Sequence, residues 1–139
     1  MNKKRVPWII LMTHDSAGSA LMKSAEMIMG ELEEVHCLAL HEGQDPMEYV
    51  SELKKILEDA PNDTIILTDL FGGTPSNSAA TFALQQKYQV ISGLNLAMLV
   101  EAEMSRRVVE GDELVNRIIQ AGKDGIRNIR QIMNERMEV

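Results

Sequence analysis

Trp8-Ile9-Ile10-Leu11-Met12-Thr13-His14-Asp15-Ser16-Ala17-Gly18 reads as an unbroken apolar run of strand length that stops at Thr13. A short turn of polar and small residues then leads into a helical pattern. His14 is therefore carried at the carboxyl end of a buried strand, where open α/β sheets place their chemistry. A second stretch repeats the construction. Thr64-Ile65-Ile66-Leu67-Thr68-Asp69 runs as a strand into Leu70-Phe71-Gly72-Gly73-Thr74-Pro75, after which a helix begins. If the two strands are neighbours, His14 and Asp69 meet.

Between and beyond these strands the pattern alternates. Leu21, Ala25, Ile28 and Leu32 recur at helical spacing behind Asp15 or Ser16 as cap, which predicts a helix from about Ser16 to Gly30. Val35 to Leu40 is a short strand flanked by His36 and His41, two histidines with no Cys or carboxylate at metal-ligand spacing and no assigned role. Asp45-Pro46-Met47-Glu48 supplies cap, proline at the first helical position and a glutamate three residues after the cap; Met47, Val50, Leu53 and Leu57 form the expected buried stripe. Thr74-Pro75 repeats the cap-then-proline device ahead of a small-residue helix through Asn77, Ala79, Ala80, Ala83 and Leu84. Tyr88 to Ser92 is a fourth strand closed by Gly93. Asn95 caps a helix through Met98, Leu99, Ala102 and Met104, and a further helix follows Gly111-Asp112.

The order βαβαβαβαα means parallel strands with right-handed crossovers, hence an α/β, flavodoxin-like open sheet of order 2-1-3-4 with helices on both faces. In that order the first and third strands straddle the reversal of winding, so their loops form one crevice. The segment from Gly125 to Ile132 is ambiguous. Its apolar spacing of three suits a helix, while an open sheet edge invites a terminal strand.

Composition narrows the classes. A chain of 139 residues is expected to be one domain, 1–139, and its 45% hydrophobic and 25% charged residues are those of a folded globular protein. The short apolar run after Met1-Asn2-Lys3-Lys4-Arg5 is too brief for a signal peptide and no run is long enough to span a bilayer, so a cytoplasmic protein is expected. A net charge of −7 disfavours nucleic acid and anionic membranes as partners. The lone Cys37, beside Leu38 and Ala39, reads as a buried small hydrophobe, and the ten methionines as core filling.

One histidine and one carboxylate without a serine or cysteine nucleophile make no hydrolytic triad, but they suit a phosphoryl carrier. Neutral imidazole is a nucleophile at physiological pH, and a carboxylate on its protonated nitrogen fixes the tautomer and supports the developing positive charge. Asp69 would then hold Nδ1 of His14 and leave Nε2 to take the phosphoryl group. Amides of Gly72, Gly73 and Thr74 approach a phosphate without side-chain obstruction, two helix amino termini face the crevice, and hydroxyls of Thr13, Ser16, Thr68 and Thr74 add donors. No metal and no cofactor are expected.

His14 after the first strand, Ser24-Ala25-Glu26-Met27, Thr68-Asp69-Leu70-Phe71-Gly72-Gly73-Thr74-Pro75-Ser76-Asn77 and Gly93-Leu94-Asn95-Leu96-Ala97-Met98-Leu99-Val100-Glu101 together resemble the enzyme IIA component (EIIA) of the mannose family of the bacterial phosphoenolpyruvate-dependent sugar phosphotransferase system (PTS). The resemblance runs from about Val6 to Gly125. It implies that His14 receives a phosphoryl group from the carrier HPr and passes it to a IIB component, which phosphorylates sugar entering through membrane-embedded IIC and IID. It also implies that Asp69 orients His14, that Thr68, Gly72, Gly73, Thr74 and Asn77 lie on the phosphate side, and that a homodimer forms by exchange of a carboxyl-terminal edge strand. Some relatives carry a fused IIB domain behind a linker; the chain to Val139 is expected to be the IIA domain alone.

Two other classes share the fold. A receiver-like signalling domain would be phosphorylated on Asp69, but it needs an acidic pair after the first strand to hold Mg²⁺, where His14-Asp15 stands, and a late lysine that is missing after the fourth strand. A flavin module would need more aromatics near strand ends than Phe71 and Tyr88.

Overall fold

In the computed structural model, which describes residues 5–85 and 88–137, the apolar run becomes β1 (Ile9–His14). It lies between β2 (Val35–Leu40) and β3 (Ile65–Thr68), with β4 (Gln89–Ile91) outside β3, all parallel in the order β2-β1-β3-β4. The basic Met1–Lys4 stretch lies outside the described residues. The connecting helices are α1 (Ala17–Met29), α2 (Pro46–Asp59), α3 (Thr74–Gln85) and α4 (Leu96–Ser105), followed by α5 (Gly111–Asp124) and α6 (Ile129–Met137).

Both faces of the sheet are covered, which is why β1 shows a continuous apolar run instead of alternation. Ile9 and Leu11 join Ile65, Leu67 and Ile91 against Ala25 of α1, Leu99 of α4 and Ile118 of α5. Ile10 and Met12 join Ile66 on the other face against Tyr49 and Leu53 of α2, Ala79 of α3 and Tyr88. The registers Met12↔Thr68 and His14↔Leu40 bring the ends of β1, β2 and β3 to one rim of the sheet.

The helix starts follow their local chemistry. Asp45 accepts the Met47 N–H at 3.0 Å, with Pro46 opening α2, and Asn95 accepts the Met98 N–H at 2.9 Å while its amide donates to Gly122 O on α5 at 3.3 Å. At α1 neither expected cap acts through its side chain. The Thr13 hydroxyl, buried at the strand end, accepts the Gly18 N–H at 2.9 Å instead. Gly18 is the residue that fits, because a Cβ there would meet Leu11 and Thr13 at 3.2 and 3.3 Å.

Several expected burials are corrected. Met47 is exposed and Tyr49 takes the place inside α2; Ile28 is exposed at the end of α1. Cys37 is exposed on the edge strand β2, with the Met22 sulfur of α1 3.9 Å from its own. Burial of its surroundings and the charge of Glu26 nevertheless raise the thiol's pKa, so it remains a poor nucleophile. Residues Gly125 to Ile132 add no strand to this chain's sheet. Asn128 accepts the Gln131 N–H at 3.1 Å and starts α6, which buries none of its residues.

At the opposite end of the sheet from His14, the buried Arg106 closes α4. Its Nη1 donates to Pro7 O at 2.7 Å and its Nη2 to Glu33 O and the Glu103 carboxylate, which ties α4 to the chain before β1 and to the α1–β2 connection. Arg106→Ala leaves two backbone carbonyls and part of the Glu103 charge without partners. It is expected to lower the unfolding free energy by about 3 kcal/mol, read as a lower urea midpoint; an unchanged midpoint would show that the guanidinium ties nothing together.

Candidate functional site

The pairing of β1 with β3 puts Asp69 directly beside His14. The Asp69 N–H donates to Met12 O at 3.3 Å, continuing the β1–β3 ladder by one residue. Its Oδ2 then accepts two hydrogen bonds from His14, from the backbone N–H at 2.8 Å and from ring Nδ1 at 2.9 Å. A carboxylate can only accept, so Nδ1 carries the proton, and in the neutral ring Nε2 is the nitrogen with the lone pair. The imidazole is 49% exposed and the Asp69 side chain 23%; the ring stands at the surface while its support is set into the rim.

The turn that delivers His14 is tightly held. Asp15 adopts a left-handed conformation with φ of +50°, stabilised by its N–H to Leu40 O at 2.8 Å and by the Thr13 hydroxyl on its carbonyl at 3.1 Å. Ser16 follows, exposed, with no hydrogen bond from its hydroxyl at the α1 start. The second loop closes over the ring. Gly73 comes so near that a Cβ would lie 3.0 Å from Cε1 and 3.6 Å from Nε2 of His14. Gly72 has φ of +84°, a conformation that glycine adopts without strain. The Gly73 amide turns back to Leu70 O at 3.3 Å and the Asn77 N–H to Gly73 O at 2.9 Å, and Pro75 has no N–H, so the first-turn amides of Thr74 and Ser76 are the donors that this loop presents.

The expected site residues thus separate into two groups. His14, Asp69 and Gly73 are in contact, with Gly72, Thr74 and Ser16 next to them in the two loops. Thr68 is fully buried below the rim: its hydroxyl lies 2.6 Å from Ser76 Oγ, which in turn donates to Leu70 O at 2.6 Å. Thr13 is likewise committed inside, and Asn77 donates to Gly72 O at 3.2 Å. These three set the loop shape. Ser76 was overlooked as a positioning residue; its place one turn into the helix after Thr74-Pro75 was the available signal. Beneath the site, burial first and then the charges of Asp69 and Glu52 push the Tyr49 hydroxyl above its ordinary pKa, which keeps it protonated and donating to Leu38 O at 2.9 Å. Among the described residues no group of His, Cys, Asp and Glu could hold a metal ion, and no helix is long and apolar enough to cross a membrane.

The family described as PTS system fructose IIA component (EIIA-man) matches residues 8–119. The PTS system mannose-specific EIIAB component of Escherichia coli K12 is 33% identical over 128 residues, covering 88% of this chain and 39% of its own length. The chain therefore spans well under half of that relative. The crystal structure of phosphotransferase system component EIIA from Streptococcus agalactiae superposes with a TM-score of 0.84 at 31% identity, covering 89% of this chain and 98% of its own. The mannose/sorbose specific IIA subunit from Enterococcus faecalis does so with 0.83 at 33% identity, over 89% and 95%.

The close approach of Gly73 has a direct test. Gly73→Ala is expected to displace the imidazole and shield Nε2, slowing carbethoxylation of His14 by diethyl pyrocarbonate and shifting its ring ¹⁵N resonances. Stability should change by less than about 1 kcal/mol, because the gain from replacing a glycine whose φ is not positive is offset by the strain of moving the ring from Asp69. Unaltered ring resonances and reactivity would show that the loop does not press on His14.

Proposed function

The chain belongs to the mannose-type EIIA family of the sugar phosphotransferase system, and on that premise we propose that it is a cytoplasmic phosphoryl carrier that accepts phosphate from phosphorylated HPr on His14 and hands it to a IIB component. The observation that carries this reading is the Asp69 Oδ2 clamp on both the backbone and Nδ1 of His14, with Nε2 left free beneath the Gly72-Gly73-Thr74 loop.

In the proposed step the Nε2 lone pair of His14 attacks phosphorus in line with the departing nitrogen of the donor's phosphohistidine. One N–P bond forms and one breaks, and the donor leaves as neutral imidazole. The His14 ring becomes positive, with its Nδ1 proton held on Asp69, so the carboxylate balances charge exactly where it develops without moving. Amides at the start of α3, the Gly72 backbone and the Ser16 and Thr74 hydroxyls receive the phosphoryl oxygens, aided by the positive ends of α1 and α3. Transfer to IIB is the same step in reverse toward a new acceptor, after which sugar is phosphorylated on entry through IIC and IID. Phosphorylation of Asp69 itself fits poorly. Its Oδ2 is engaged twice by His14 and its Oδ1 is buried.

We also infer a homodimer built through the carboxyl-terminal segment. Ile129, Met133 and Met137 stand exposed along α6, which buries none of its residues, Ile126 is exposed in the connection before it, and Ile28, Leu96, Val100 and Met104 form an apolar groove across α1 and α4. Ile129→Glu with Met133→Glu is expected to convert the dimer to a monomer in light scattering. A monomeric parent chain would contradict the assembly.

Incubation with phosphoenolpyruvate, enzyme I and HPr should add one acid-labile phosphoryl group by intact mass, absent from His14→Ala. Asp69→Asn is expected to slow the transfer by roughly 10- to 100-fold. An acid-stable group that survives in His14→Ala would overturn the assignment in favour of Asp69.

A further inference from the structure

Phe71 is 87% exposed and Leu70 59% exposed, in the loop that covers His14. Burying a side chain of this size stabilises a protein by about 2 kcal/mol, so two adjacent apolar side chains held in water call for an explanation. Flexibility does not supply it. Leu70 O accepts from Ser76 Oγ at 2.6 Å and from the Gly73 N–H at 3.3 Å, and Gly72 O accepts from Asn77 Nδ2 at 3.2 Å. The backbone is thus pinned on both sides of Phe71, and the ring is displayed on a preformed turn. An aromatic side chain presented this way loses little conformational entropy when a partner covers it.

The flank toward β2 is acidic. Asp15 pairs with Leu40, and the loop that follows carries the exposed Glu42 and Asp45, with Glu48 in the first turn of α2. The loops after the four strands, residues 15–16, 41–45, 69–73 and 92–95, contain no Lys or Arg. A phosphate donor approaching His14 thus meets an apolar knob on one side and a row of carboxylates on the other.

We propose that Phe71, supported by Leu70, is the docking anchor for the protein that donates the phosphoryl group: a carrier with an apolar patch next to its phosphohistidine and basic side chains facing the β2 flank. This rests on the phosphoryl-carrier reading above. The anchor acts on the encounter between proteins and has no part in the chemistry at Nε2, which separates it from Gly73 and Asp69.

The test compares two donors, phosphorylated HPr and the small molecule phosphoramidate, on the parent chain, Phe71→Ala and Phe71→Leu. With phosphorylated HPr, Phe71→Ala is expected to need at least about tenfold more donor for half-maximal rate, and Phe71→Leu less than that. With phosphoramidate all three should label His14 at one rate. Added salt should weaken the use of phosphorylated HPr by the parent chain, as opposite charges across an interface require. Equal losses with both donors would mean that Phe71 shapes the histidine site and would overturn the docking role. No loss with either donor would overturn it as well, and salt-independent transfer would overturn the basic flank of the partner. If the parent chain took no phosphoryl group on His14 from either donor, the carrier reading itself would fall and the docking role with it.

Discussion

Two hydrogen bonds converge on one oxygen, Asp69 Oδ2, and the rest of the site depends on them. One fixes where the His14 backbone leaves the sheet and the other fixes which ring nitrogen carries the proton. Neither could form unless the third strand lay beside the first, since the two residues are far apart in the chain and meet only at the rim shared by β1 and β3. The reversal of winding at that junction opens the crevice, and the buried apolar faces of β1 hold the junction rigid. Fold and chemistry are coupled there: Thr13, one residue before His14, anchors the start of α1, and Thr68, one residue before Asp69, anchors Ser76 and so the loop above the ring.

Much of this was legible in the chain. The uninterrupted runs before His14 and Asp69 report strands covered on both faces, and Asp45-Pro46 marks a helix start through a local hydrogen bond that needs no tertiary context, whereas Thr74, read as a cap, is itself the first residue of α3. Alternation and handedness called for a parallel doubly wound sheet; the order 2-1-3-4 was the flavodoxin-like choice among such sheets, and the structure has it, which brings His14 and Asp69 together. Resemblance to a family added the expected donor and acceptor proteins, Asn77 on the phosphate side and the homodimer.

What was not legible depends on which surface covers which. Helical spacing says that Met47, Val50, Leu53 and Leu57 share a side of α2, but not that the sheet ends short of the first turn and leaves Met47 in water while Tyr49 turns inward. Ile28 and Cys37 were misjudged for the same reason, as both lie at the margin of the α1–sheet contact. Thr68 illustrates a second kind of gap. A hydroxyl at a strand end is an equally good donor to a phosphate or to a neighbouring Ser, and only the depth of the strand in the rim decides between them. For the carboxyl-terminal segment, apolar spacing suited both a helix and an edge strand; the Asn128 side chain, which accepts the Gln131 N–H, starts a helix there.

The central claim is that Nδ1 of His14 keeps its proton on Asp69 while Nε2 carries the phosphoryl group. It is tested most directly by ¹⁵N and ³¹P NMR of the phosphorylated protein labelled at the histidine ring. The account predicts phosphorus coupled to Nε2 of His14, with Nδ1 still protonated and hydrogen-bonded. Phosphorus coupled to Nδ1, or a phosphorylated protein whose His14 resonances are unchanged, would contradict it.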